Sequence, residues 1–188
     1  MLHLWLPLAV SIVMMVLEPS TINVALGRTS NPELALAAFG VAFSVALLIE
    51  APVIMLLDAS VARSTDREAF SVLRRFAVVL GLVVTGIGLL VSFTPLYGLI
   101  VQGLMNMPID VADLARPTLK ILSFWYLPIA WRRTHQGVLI RAGHTSIITF
   151  ATGVRLLTLA LGVLAGLLLF PDYGAVIAGL AMVLSVTV

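Results

Sequence analysis

Polar positions are sparse along this chain, and the long apolar runs between them mark out its elements. The first run extends from about Leu4 to Gly27 and is interrupted by Glu18-Pro19. Arg28, Asn31 and Pro32 form a short polar turn before a second run, about Leu34 to Leu57, which contains Glu50 and Pro52. A hydrophilic stretch from Asp58 to Arg75 follows and predicts a connecting loop; it carries Arg63, Asp66, Arg67, Glu68, Arg74 and Arg75. The third run is Phe76 to Phe93, and Thr94-Pro95 ends its regular helix, because proline cannot donate to the turn before it. Tyr97 to Met107 is apolar but too short to cross a bilayer, so it predicts an interfacial helix or the tail of the third. A fourth helix starts near Val111–Leu114 and runs to Ile140, with polar residues in its inner half. Arg141, Gly143 and His144 make a turn, a fifth helix runs from about Ser146 to Phe170, and Pro171-Asp172-Tyr173-Gly174 is a turn signal. A sixth run starts near Ala175 and is still apolar at Val188.

A hydrocarbon core of about 30 Å takes roughly 20 helical residues to cross. The pattern therefore predicts an all-α integral membrane protein, with residues 1–188 forming a single bundle of six transmembrane helices. An apolar run at the end of the sequence, with no charged anchor, predicts a missing second six-helix half or a half-size protein that pairs as a homodimer. Composition agrees. The 188 residues are 61% hydrophobic and 11% charged, with mean hydropathy +1.13, against roughly 45–50% and about 25% in a soluble domain. That excludes a soluble enzyme, a disordered tail and a nucleic-acid binder.

The formal net charge of +2 reflects loop arginines that set topology. Arg63, Arg67, Arg74, Arg75 and Arg141 fall on one side; Arg28, Asp110, Asp113 and Asp172 fall on the other. The balance predicts cytoplasmic termini in a plasma membrane, a bacterial inner membrane for preference, although Arg116 and Lys120 lie on the side the rule disfavours. There are no cysteines and hence no disulfides. No cleavable signal opens the chain. His3 and His144 sit at membrane edges as interface groups rather than metal ligands. No zinc-peptidase, phosphate-loop or nucleophile motif is present, so neither an enzyme nor a cofactor is expected.

An ionisable side chain in hydrocarbon costs several kcal/mol, so it must face a cavity, a partner or the interface. Arg155 is the strongest case. About ten residues into the fifth helix, at 1.5 Å per residue, it lies roughly 15 Å deep. It either pairs with Glu18 or Glu50, or contacts a substrate or ion. In the fourth helix, Arg132, His135 and Gln136 are spaced to share a face, with Arg133 at its edge. Such a face suits a carboxylate or phosphate, with arginine supplying a bidentate fork; the alternative is an interfacial anchor around Trp131. Glu18 beside Pro19, and Glu50 near Pro52, place carboxylates at helix kinks, where they would couple protons or cations or simply neutralise an arginine. Gly162 and Gly166 have the small-xxx-small spacing of close helix contact.

The six-helix layout resembles one half of the multidrug and toxic compound extrusion (MATE) transporters, whose superfamily includes lipid-linked oligosaccharide flippases. The matching stretches are Leu6-Pro7-Leu8, Gly27-Arg28, Leu34 to Gly40, and Asp113-Leu114-Ala115-Arg116-Pro117. Leu36 to Ser44, and Ala130-Trp131 followed by Thr134 to Arg141, are similar to the progressive ankylosis branch, associated with export of ATP, citrate and pyrophosphate. In the second stretch, a Thr134-His135-Gln136-Gly137 run at membrane depth has no generic packing reason. Glu18 lies where that branch looks to carry an acid. Arg132-Arg133 departs from the pattern by adding positive charge. The resemblance implies alternating access around a midplane site. Combined with the excess of buried arginine, it implies secondary active export of small organic or phosphorylated anions. The alternatives are a proton- or sodium-coupled multidrug antiporter and a lipid flippase.

Overall fold

The computed structural model describes residues 2–188, with side chains from Trp5 onward, so His3 lies outside the described side chains. Helix α1 spans Leu2–Leu26, with Pro7 and Pro19 inside it. Helix α2, Pro32–Ile54, and α3, Leu56–Arg63, follow each other across a bend at Met55. Helix α4 is Arg67–Phe93. A short α5, Leu96–Gly98, runs into a π-helical segment, Leu99–Leu104, which agrees with the expected non-crossing segment.

The segment expected as the fourth crossing is broken, and neither of its helices is by itself long and apolar enough to span. Helix α6, Ile109–Leu122, passes through a 3₁₀ turn, Ser123–Trp125, into α7, Tyr126–Arg141. Pro128 explains the position of the break. It has no N–H to offer the carbonyl of Phe124, but in the first turn of a new helix that donor is not needed. Helix α8 is Thr145–Leu169 and, after a 3₁₀ turn at Pro171–Tyr173, α9 is Gly174–Thr187. Pro32–Arg63, Arg67–Phe93, Thr145–Leu169 and Trp5–Leu26 are each long and apolar enough to cross a membrane. This is a multi-pass membrane protein.

The expected loop Asp58–Arg75 is mostly helix, and only Ser64–Asp66 lie outside α3 and α4. Charge marked where the chain leaves the hydrocarbon, not where the helix stops. Arginine, glutamate and alanine are good helix formers, so the helices continue into the polar layer. The 27 residues of α4 extend about 40 Å, more than the core requires. Asp66 starts this helix as its N-cap, its Oδ1 accepting from the Ala69 N–H at 2.8 Å. That hydrogen bond holds the Asp66 carboxyl below the ordinary aspartate range.

Helix α1 packs chiefly on α8, α2 on α6, α4 and α3 on α7, and α9 between α8 and α6. Small residues set the closest approaches. A Cβ on Gly162 would sit 3.3 Å from that of Ala181, and one on Gly166 would meet Ile177, so the small-xxx-small pair faces α9. Gly88 lets Tyr126 lie against α4. The two cations that opposed the charge rule have local partners. Arg116 donates to the carbonyls of Ser92, Phe93 and Thr94, the last carbonyls of α4 and the residue after it. The Lys120 ammonium lies 4.5 Å from the Phe93 ring centroid.

Candidate functional site

Helices α1 and α8 run parallel, which brings their charged residues to the same depth. Ser11 Oγ lies 3.1 Å from Thr149 Oγ1, and Thr149 donates to the carbonyl of Pro7 at 2.7 Å. One to two turns further along, Arg155 Nη2 meets Glu18 Oε2 at 2.6 Å, with both side chains buried. This is the only ion pair between described residues. Of the two acids open to Arg155, Glu18 takes it. Pro19 places a helix defect beside that carboxylate, since the Met15 carbonyl receives no N–H from position 19.

Glu50 is 2% exposed and stands outside any ion pair between described residues. It lines a cavity of about 150 Å³ together with Glu18, Arg133, Arg155, Trp125 and Phe43. That space is large enough to admit water. Several buried polar atoms have no protein partner: Glu18 Oε1, Glu50 Oε2, Arg155 Nε, Trp125 Nε1 and Tyr126 Oη. A buried polar atom in an apolar setting costs free energy unless water or a ligand satisfies it. The helices thus converge on a small, incompletely satisfied polar chamber within an apolar bundle.

The α7 residues divide among its neighbours. Arg133 reaches the chamber. Gln136, one turn on, lines with Arg133 a larger cleft of about 790 Å³ against α1. Arg132 turns to α8, where Nη2 donates to Thr152 Oγ1 at 3.3 Å. His135 turns to α4. Its ring stands edge-on to Phe70 at 5.6 Å and lies 4.4 Å from Trp131, with Nδ1 2.8 Å from the Trp131 carbonyl. The face expected to join Arg132, His135 and Gln136 is therefore split. No group of three or more metal-ligating side chains occurs among the described residues.

The Thr134–Gly137 run has a packing reason. Ser60 of α3 donates to the Thr134 carbonyl at 2.6 Å, and a Cβ on Gly137 would strike Ser60 and the Leu57 carbonyl. Two residues that line the chamber or the cleft, Thr152 and Trp125, were not picked out from the sequence. Thr152 was within reach, one turn before Arg155 on the same helix face. Trp125 sits in an apolar stretch, and nothing local marks its indole N–H as turned inward.

Neither a protein-family model nor a curated protein matches the chain by sequence. Solved structures do match it by fold. One is a multidrug resistance transporter of the MATE family, MOP superfamily, in an outward-facing conformation. It aligns with TM-score 0.68 and 18% identity over 98% of this chain and 41% of its own. The chain shares the MATE fold. A second is a MOP superfamily transporter from Pyrococcus furiosus, described as having a binding pocket of reversed polarity that suggests a different function. It aligns with TM-score 0.66 and 18% identity, over 98% of this chain and 42% of its own. The chain spans about two-fifths of the length of each neighbour. The MATE-like half-bundle expected from the order of the helices is the architecture found.

Proposed function

We propose that this chain is one half of a secondary active transporter that moves small organic or phosphorylated anions by alternating access, with a second six-helix half or a second copy completing the cavity. The supporting observation is the charge balance at depth. Arg133 and Arg155 line the chamber with Glu18 and Glu50, Arg132 adds a third cation nearby, and only Arg155 is ion-paired among the described residues. Arg133 supplies the free fork for a carboxylate or phosphate, with the Gln136 amide one turn away. Arg132 is held by Thr152 at the rim of the site. His135 would act indirectly, through its packing on Trp131. Glu18 and Glu50 are the coupling groups in this reading. An anion at Arg155 must compete with the Glu18 carboxylate, and protonating Glu18 removes the competitor, so proton and anion occupancy are linked. The MATE fold, which carries transport in its solved neighbours, favours a carrier over an enzyme.

The test is flux through proteoliposomes containing the intact protein. Labelled citrate or ATP should move, and Arg133→Ala should lower the flux at least tenfold. Movement of a fluorescent dye cation in place of either anion, abolished by Glu50→Gln, would instead support a multidrug-type antiporter.

A further inference from the structure

The larger cleft beside Arg133 narrows the substrate class. Resting on the anion-transport reading above, we infer that the preferred cargo is an anionic amphiphile: a single carboxylate, sulfonate or phosphate head on an apolar body. The cleft has a volume of about 790 Å³, within the roughly 300–1,000 Å³ of sites for drug-sized molecules. Its walls are apolar. Leu8, Ile12 and Val16 of α1 face Leu57 of α3 and Ile140 of α7 across it, with Ile148 of α8 at the side.

Four polar side chains interrupt that lining, and two are already occupied. Ser11 donates to the Pro7 carbonyl at 2.9 Å, and Thr152 donates to the Ile148 carbonyl at 2.8 Å. That leaves Arg133 and Gln136, adjacent on one face of α7, as the groups able to receive a charged head. Arg133, Met15 and Pro19 belong both to this cleft and to the polar chamber. The arginine therefore stands where an apolar groove opens into a polar pocket. A compact polyanion such as citrate would leave several charges against aliphatic side chains, an arrangement that burial penalises. A single-headed amphiphile satisfies the arginine and covers the aliphatic wall in one pose. A cationic amphiphile fits the wall but sets its charge against Arg133.

The probe is radiolabelled decanesulfonate, whose head stays ionised and so does not cross the bilayer as a neutral acid. Flux is measured in proteoliposomes containing the intact protein, beside citrate, methanesulfonate and decyltrimethylammonium. The expected result is protein-dependent flux of decanesulfonate at least tenfold above methanesulfonate and citrate. Arg133→Met should abolish it. Ile12→Trp fills the groove from an exposed position on α1, so it should cut decanesulfonate flux severalfold and spare whatever citrate flux exists. Citrate flux without decanesulfonate flux overturns the amphiphile inference and leaves the anion transporter standing. Flux of decyltrimethylammonium alone overturns both, as does the absence of protein-dependent flux for every probe. Should Arg133→Met fail to fold, Ile12→Trp still decides: equal loss of both anions, or of neither, refutes the groove.

Discussion

Breaking the Glu18–Arg155 pair is the sharpest test of how this bundle tolerates charge. Two unit charges 2.6 Å apart attract by about 6 kcal/mol at an effective dielectric constant of 20. Desolvating each ion costs several kcal/mol, so the intact pair is close to break-even against an apolar replacement of similar volume. Removing one partner is different, because it strands the other charge without the attraction. Arg155→Met and Glu18→Leu should therefore each destabilise the protein by about 3–5 kcal/mol. The double variant should lie within about 1 kcal/mol of the parent, giving a coupling energy of several kcal/mol in the double-mutant cycle. Denaturant titration of the four purified proteins in detergent, followed by far-UV circular dichroism, measures the cycle. Additive losses would falsify the pairing. So would two single variants that each cost under about 1 kcal/mol, since that would mean water, not the partner, solvates both groups.

Other substitutions probe the packing and the helix ends. Gly137→Ala forces a methyl into Ser60 and the Leu57 carbonyl and should cost roughly 1–3 kcal/mol in the same titration. Gly40→Ala meets nothing within 4 Å and should raise stability by up to about 1 kcal/mol; equal effects at the two glycines would refute the α3–α7 contact. Arg116→Ala releases the carbonyls of Ser92, Phe93 and Thr94, so amide exchange in peptides covering residues 90–97 should accelerate, and Arg116→Lys should restore only part of the protection. Asp66→Ala should speed exchange in the first turn of α4, whereas Asp66→Asn should not, since either residue caps a helix. Because the folded state lowers this carboxyl's pKa, its contribution is complete above the ordinary aspartate range and is lost as pH falls through the lowered value. Relative to the intrinsic exchange rate at each pH, protection in that turn should fall on acidification in the parent and stay flat in Asp66→Asn.

Most of the helical layout is legible in the order of apolar runs, because a chain in lipid must satisfy its backbone within each segment. Three features are not, and each has a physical cause. Helix ends beyond the hydrocarbon are set by helix propensity and by a cap at Asp66, neither of which hydropathy registers. The break at Ser123–Trp125 depends on Pro128, which reads as an ordinary interior proline until the restart at Tyr126 is known. The depth of Arg155 follows from counting residues, but its choice of Glu18 over Glu50 does not. That choice depends on α1 running parallel to α8 at matching register, a tertiary fact shown by the Ser11–Thr149 and Glu18–Arg155 contacts together.

The division of α7 shows why a helical face is a weaker inference inside a bundle than on a surface. Arg132, His135 and Gln136 spread over roughly 100° of helix circumference. On a helix with one buried side, that arc meets one environment. Helix α7 is packed by α3, α4 and α8, so the arc meets several. His135 goes to Phe70 on α4, Arg132 to Thr152 on α8, and Gln136 to the cleft beside α1. Within the same turn, Thr134 and Gly137 are committed to α3 through Ser60. On the proposed reading, what remains of the run for cargo is Arg133 with Gln136, one residue off the set that spacing alone selects. Substitutions at His135 should therefore act on stability through Trp131 and Phe70, and leave anion affinity unchanged in the protein that folds. A His135→Phe variant that keeps the ring packing but shifts the apparent KM for anion flux tenfold would place the imidazole back in the site.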